Sequence, residues 1–265
     1  MNLIKIGIIG GTGIYDPRLL ENLQTTVQKT PYGDVSVATG SYQGIEAAFI
    51  PRHGARHSLP PHLINYRANI MALKQMGVER ILATAAVGSI HYDFKPGHFV
   101  LADQFLDFTK SRTNTYYEGG SQGVVHCDMT IPYCSDLRQA LSQAGSDLGV
   151  TVHNGGVYVC TEGPRFETAA EIQMFKLMGG HIVGMTSVPE VVLARELGMC
   201  YANVSLVTNF AAGLVTGMLT HSEVLEVMAE SLHQVRAVLM GALPYIAAER
   251  PCDCARAVPD MDITK

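Results

Sequence analysis

Short apolar runs alternate with stretches of helical periodicity along most of this chain. Ile4–Gly10 is almost wholly apolar and stops at Gly10-Gly11-Thr12-Gly13, which predicts a buried strand followed by a tight turn. Val35–Thr39 and Ile45–Ile50 read as strands joined by a turn at Gly40–Gly44. Ile64, Ala68, Met71 and Ala72 fall at helical spacing, and Gly77 closes that helix. Arg80–Ala86 and Phe99–Leu101 are β runs, whereas Ser111–Cys134 has little periodicity and predicts a long functional loop or a contact with another subunit. Further on, Leu137, Leu141, Ala144 and Leu148 mark a helix, Val152–Cys160 a strand, and Glu167–Met178 a helix ended by Gly179-Gly180. Pro189 suits a first helical position, with Gly198 as the stop, and Tyr201–Thr208 is a buried strand. The last helix opens at the capping-box pattern Thr220-His221-Ser222-Glu223 and carries its apolar stripe on Val224, Val227, Met228, Leu232, Val235 and Leu239. The alternation predicts an α/β protein with helices on the faces of a sheet. No repeat or linker interrupts it, so residues 1–247 read as one domain and residues 248–265 as a loosely ordered tail.

Composition narrows the classes. The chain has 265 residues, of which 47% are hydrophobic and only 16% charged, so a large core is available and long disordered stretches are not expected. The formal net charge is −5 without a block of Lys or Arg, which argues against nucleic acid as a partner. No run approaches the ~18 apolar residues of a membrane span, and the N-terminus lacks a signal-peptide pattern, so a cytoplasmic location is expected. Cys127, Cys134, Cys160 and Cys200 have no ligand-type spacing and read as small apolar residues or surface thiols. Cys252 and Cys254 form a Cys-x-Cys pair, which supplies too few ligands for a structural zinc site and leaves a local disulfide open.

Six strand-end junctions carry candidate chemistry. Gly10-Gly11-Thr12-Gly13 allows backbone N–H groups to approach an anion, yet it lacks the third glycine of a dinucleotide fingerprint and the Gly-Lys of a Walker loop. Pro51-Arg52-His53-Gly54 offers a forked guanidinium and an imidazole suited to phosphate. His57 and His62 lie nearby, but no carboxylate or H-E-x-x-H accompanies them, so no metal is expected. The other four junctions are Ala83–Ser89, Thr161–Thr168, Met185–Glu190 and Thr208-Asn209-Phe210-Ala211-Ala212-Gly213. Ligands favour such carboxyl ends of strands in open α/β sheets.

Taken in order, Gly-Gly-Thr-Gly, Arg-His-Gly, Thr-Ala-Ala-x-Gly-Ser, Glu-Gly-Pro-Arg-Phe-Glu-Thr, Met-Thr-Ser-Val-Pro-Glu and Thr-Asn-Phe-Ala-Ala-Gly resemble the trimeric purine nucleoside phosphorylase and methylthioadenosine phosphorylase family, from about Ile6 to about Leu243. The resemblance implies a single three-layer α/β/α domain with a mixed, partly barrel-like sheet. It also implies a homotrimer, or a dimer of trimers, with active sites near the interfaces. By resemblance, Thr12, Arg52, His53, Thr84, the backbone at Ala85 and Thr186 hold phosphate, and Met185 lies against the ribose. Phe166 packs on the base, Glu167 and Asn209 meet its polar edge, and His126 reaches a neighbouring subunit's site. Asn209, Glu167 and His53 form the catalytic set, and inorganic phosphate is a co-substrate with no cofactor needed.

The match mixes two branches. Arg52-His53-Gly54 is similar to the methylthioadenosine branch, since the nucleoside branch spaces this Arg and His by one residue. The base pocket follows the other branch: adenine-specific members carry Asp-x-Asp where this chain has Asn209-Phe210-Ala211, and Ser in place of Glu167. His221 resembles the residue that contacts a 5′-hydroxyl. The chemistry agrees, because a 6-oxopurine presents a donor at N1–H and an acceptor at O6, matching Glu167 and the Asn209 amide. Adenine would set a lone pair against the Glu167 carboxylate, and mispaired buried polar groups can cost a factor of ~10⁴. The expected reaction is phosphorolysis of inosine and guanosine. The alternative is the same chemistry on 5′-methylthioinosine or methylthioadenosine, and a hydrolase or a purine sensor fits the phosphate set less well.

Overall fold

The computed structural model describes residues 5–11, 20–54, 58–120, 123–215, 221–246 and 249–258, with backbone only at 221–223. The strands are β1 (Ile6–Gly10), β2 (Glu21–Thr30), β3 (Gly33–Tyr42), β4 (Ile45–Pro51), β5 (Arg80–Ser89), β6 (Phe99–Leu101), β7 (Gln104–Phe108), β8 (Val152–Asn154), β9 (Val157–Thr161), β10 (Ile182–Gly184) and β11 (Cys200–Phe210). The helices are α1 (Tyr66–Gln75), α2 (Ser135–Asp147), α3 (Ala169–Leu177), α4 (Ser187–Glu196) and α5 (His221–Ala242). All eleven strands join one mixed sheet in the order β2-β3-β4-β1-β5-β10-β9-β7, which branches where β11 pairs with both β5 and β6 and β6 pairs with β8.

Helices cover both faces, giving the three layers expected. Ile70, Leu73, Val191 and Leu193 of α1 and α4 share one buried cluster with Ile9, Ile50 and Ile81 of the sheet. Leu137, Leu141, Val235 and Leu239 of α2 and α5 share another with Ile8, Leu82 and Leu206. The strands β1, β5 and β11 are apolar on both faces because each face meets a helix layer, which is why their sequences read as continuous runs. A smaller cluster joins Ile172 and Phe175 of α3 to Val183 and Ala211.

Some elements differ from the expected ones. The run Val152–Cys160 divides into β8 and β9, because Gly155 and Gly156 take φ of 139° and 145°, which side chains disfavour. Strand β2 was not legible, since nearly all its residues are exposed and polar and it is held by backbone pairing with β3. Residues 249–258 depart from the loose tail expected: Asp253–Arg256 forms a 3₁₀ turn, and Cys254 and Ala257 are buried. No helix among the described residues is long and apolar enough to cross a membrane.

Candidate active site

The pocket lies where β5 changes neighbours. Strand β11 pairs along the whole of β5, filling one edge. On the other edge β1 pairs only with Arg80–Ala83, and β10 pairs only with Gly88 and Ser89. Residues 84–87 are left between them, and Ala85, Ala86, Val87 and Gly88 line the pocket. Opposite, the pairing of β11 slips between Val207 and Asn209, a bulge that re-aims the strand end and brings Thr208, Asn209 and Ala211 to the same cavity. Gly11, Arg52, His53, Phe166, Glu167, Met185, Thr186 and Val224 complete most of the wall.

At one end, the strands β1 and β4 deliver Gly11 and Arg52 side by side. The Gly11 N–H donates to Thr84 Oγ1 at 2.9 Å. A Cβ on Gly11 would lie 2.8 Å from the Thr84 carbonyl and 3.0 Å from Arg52 Nη1, so only glycine allows this approach. Each nitrogen of the Arg52 guanidinium makes one hydrogen bond: Nε to Glu190 Oε1 at 2.6 Å, Nη2 to Glu190 Oε2 at 2.8 Å, and Nη1 to the Thr84 carbonyl at 2.6 Å. Tyr201 donates to Glu190 Oε2 at 2.7 Å. Burial opposes the charge on Arg52, but the Glu190 carboxylate outweighs it and raises the guanidinium above its ordinary value. Burial likewise drives the Tyr201 phenol well above its usual range. His53 Nδ1 lies 2.8 Å from the Leu59 carbonyl, which can only accept, so Nδ1 holds the proton and Nε2 carries the lone pair of the neutral ring.

At the other end, Glu167 precedes α3, whose start is fixed by a capping box between Thr168 and Glu171. Thr161 Oγ1 donates to Glu167 Oε1 at 2.6 Å. Burial raises the Glu167 carboxyl above the usual carboxylate range, and the Thr161 hydrogen bond only partly counters it. The Asn209 amide is oriented from both sides: Thr208 Oγ1 donates to its Oδ1 at 2.8 Å, and its Nδ2 donates to the Phe210 carbonyl at 2.9 Å. One amide hydrogen remains for a ligand. Phe166 is 39% exposed, so its ring is available as a platform.

Arg112 is the residue that sequence reasoning missed. It lies in the aperiodic stretch, yet its Nη1 donates to the carbonyls of Met185 (2.6 Å) and Val188 (2.8 Å), and its Nη2 to those of Glu162 (2.6 Å) and Thr161 (3.2 Å). It therefore ties the β9–α3 junction to the β10–α4 junction. A lone Arg in a loop gives no sequence signal of this. Glu190 was also missed as a partner for Arg52, although it stands in the Met185–Glu190 stretch singled out above.

Of the expected residues, Arg52, His53, Ala85, Phe166, Glu167, Met185, Thr186, Asn209 and Ala211 line the pocket together. Thr84 does not line it; its hydroxyl is turned to Gly11, behind the wall. His126 is exposed and is not among the lining residues. Thr12 and His57 lie outside the described residues, as does the His221 side chain.

The fold and the composition of this pocket define a nucleoside-phosphorylase type of α/β protein. Residues 5–244 match the Phosphorylase superfamily, and the chain belongs to that family. The chain is similar to the probable 6-oxopurine nucleoside phosphorylase of Moorella thermoacetica, at 52% identity over 98% of this chain and 100% of that protein. It is also similar to the probable S-methyl-5′-thioinosine phosphorylase of Methanothermobacter thermautotrophicus, at 48% identity over 97% of this chain and 90% of that protein. Among solved structures, the methylthioadenosine phosphorylase of Schistosoma mansoni in complex with adenine superposes with a TM-score of 0.89, at 37% identity over 96% of each chain.

Proposed function

We propose that the chain catalyses phosphorolysis of 6-oxopurine nucleosides, giving free purine and ribose 1-phosphate from inosine or guanosine and inorganic phosphate. One observation carries this reading: a single pocket holds the Arg52–His53 pair at one end and Glu167 with Asn209 at the other. The Moorella relative, named for 6-oxopurine nucleosides, supports it.

In this reading phosphate lies near Gly11, Arg52, His53 and Thr186, below the sugar, with the Thr12 hydroxyl adding to the set. The Arg52 fork is largely committed to Glu190, so its role is a fixed positive charge with its remaining N–H groups turned to the anion. Neutral His53, with its Nε2 lone pair, accepts the proton of monohydrogen phosphate. Phosphate attacks C1′ as the C1′–N9 bond breaks through an oxocarbenium-like state, and Met185 packs on the ribose. The electron pair leaves with the purine. The Asn209 amide stabilises that charge at N7 and O6, and the Glu167 carboxylate accepts from N1–H and orients the ring on Phe166. No step requires a metal or organic cofactor.

Residues 1–247 form the catalytic domain in this reading, and the assembly is a trimer located in the cytoplasm. Exposed His126 and half-covered Phe166 suit a site completed by a neighbouring subunit. The test is hypoxanthine release from inosine by the purified chain with and without phosphate. Release only with phosphate is expected; release without it, or none on any nucleoside, would overturn the proposal. A 5′-methylthioinosine substrate is the second reading, favoured by the apolar Val224 in the wall and by the Methanothermobacter relative. Relative kcat/KM on inosine and 5′-methylthioinosine separates the two.

A further inference from the structure

Four of the six cysteines meet at the end of β11 remote from Asn209. Cys200 opens that strand and Asn209 nearly closes it, a separation of roughly 30 Å along an extended chain. Cys134 stands at the N-terminus of α2, and its backbone N–H donates to the Tyr201 carbonyl at 2.8 Å. Cys252 and Cys254 come from the C-terminal segment, one just before and one within the 3₁₀ turn Asp253–Arg256. Their four sulfurs lie within 4.8 Å of one another, with Cys200 and Cys252 at 3.3 Å. Cys134, Cys200 and Cys254 are buried, and Cys252 is half-buried. The count of two ligands in the Cys-x-Cys pair thus becomes four, supplied by three separate parts of the chain.

We propose that Cys134, Cys200, Cys252 and Cys254 form a closed tetrahedral site for a structural zinc-type cation, which clips the C-terminal segment to β11 and α2. Zinc–thiolate bonds of about 2.3 Å place tetrahedral sulfurs about 3.8 Å apart, so the cluster needs little rearrangement to close on a cation. Four soft sulfurs with no oxygen or water position select zinc or a similar thiophilic ion over magnesium or calcium. A disulfide uses sulfurs two at a time, whereas here each sulfur is near all three others, the arrangement a central ion uses. Four thiolates around a divalent cation leave a dianion; the cavity that Cys134, Cys200 and Cys252 line also holds Arg80 and Arg250, beside Asp136 and Glu249. Binding releases the thiol protons to solvent and involves no change of oxidation state.

The test uses the full chain, expressed with zinc in the medium and purified without chelator or strong oxidant. Elemental analysis is expected to find about one zinc per chain, which p-hydroxymercuribenzoate releases to a chromogenic chelator as the thiols react. Replacement by Co²⁺ is expected to give sulfur-to-cobalt charge-transfer bands and the intense d–d bands of a tetrahedral tetrathiolate site. C254S is expected to abolish stoichiometric zinc and lower Tm by several degrees, while phosphorolysis at room temperature is unchanged, because the pocket lies at the other end of β11. If C254S fails to fold, the cobalt spectrum of the unaltered chain decides alone. Protein that carries no metal would overturn the proposal, whether its four thiols are free or whether intact mass shows two or four hydrogens lost to disulfides.

Discussion

At the Arg52 end of the pocket the polar side chains are buried and interlocked, whereas at the Phe166 end they are half-buried and held by one or two hydroxyl or backbone partners. Arg52, Glu190 and Tyr201 form a chain of hydrogen bonds at 2.6 to 2.8 Å with Glu190 wholly buried. Glu167 and Asn209 are half-buried, steered by Thr161 and Thr208. The contrast teaches where each end can change. In the proposed reading, an anion that is the same in every turnover meets a rigid charged scaffold, while the base meets side chains whose replacement is expected to leave the fold intact.

The largest effect is expected from breaking the rigid end. Replacing Glu190 with Gln leaves the Arg52 charge buried against a neutral amide, and losing one partner of such a pair costs about 3–5 kcal/mol. Denaturant unfolding of Glu190→Gln reads this loss directly, and its KM for phosphate is expected to rise with it. An unfolding midpoint within error of the parent would mean the Arg52–Glu190 pair contributes nothing net to the scaffold.

At the other end the loss is expected in turnover and not in folding. Asn209→Ala removes a donor aimed at the departing purine, and single donors of this kind are worth about 10²–10³ in kcat. Its Tm is expected to stay close to the parent, since Asn209 is only half-buried. A large fall in Tm with kcat intact would reverse the contrast between the two ends. Converting both Asn209 and Ala211 to Asp is a harsher change, because Ala211 packs in the apolar cluster with Ile172, Phe175 and Val183. A carboxyl there will be protonated or will loosen α3.

The two ends also differ in how far they could be read from residues alone. Strands β1, β5 and β11 and helix α5 were legible because burial on both faces, or along one stripe, leaves a periodic record. Strand β2 left none, since its polar residues are placed by backbone pairing with β3. The base end was legible because Glu167 and Asn209 bring their own side chains to the pocket. The scaffold end was half legible: Arg52 was identified, but its fork faces Glu190 from 138 residues away, a pairing that only the fold creates. Thr84 was expected at the pocket surface, and the glycine at position 11 instead draws its hydroxyl into the wall.

Arg112 links the two ends and gives an intermediate test. Its hydrogen bonds to four carbonyls fix the backbone before Thr186 and around Glu162, so Arg112→Lys keeps the charge but loses the fork. Misplacing both junctions by a fraction of an ångström is expected to lower kcat/KM about tenfold to a hundredfold. The fall should appear on inosine and on 5′-methylthioinosine alike, since Arg112 lies behind the wall. A loss confined to one substrate would place Arg112 in specificity and not in positioning.

The smallest expected effect is a shift in pH dependence. Burial raises the Glu167 carboxyl and the Thr161 hydrogen bond lowers it, with burial prevailing. Accepting from purine N1–H requires the carboxylate, so kcat/KM on inosine should fall as pH drops through this raised value, at a higher pH than an ordinary glutamate would set. Stability runs the opposite way. A folded value above the unfolded one favours the protonated group, and that contribution is lost as pH rises through the folded value. Thr161→Val removes the larger of the two hydrogen bonds that favour the charged form, the other coming from the Glu167 backbone. A net hydrogen bond is worth about 1 kcal/mol and one pKa unit about 1.4 kcal/mol, so the acid limb should move up by somewhat less than a unit. Glu167→Gln should abolish the limb altogether. A limb that stays in place in both variants would assign it to phosphate ionisation or to His53, and would move the pH-sensitive step from the base end to the rigid end of the pocket.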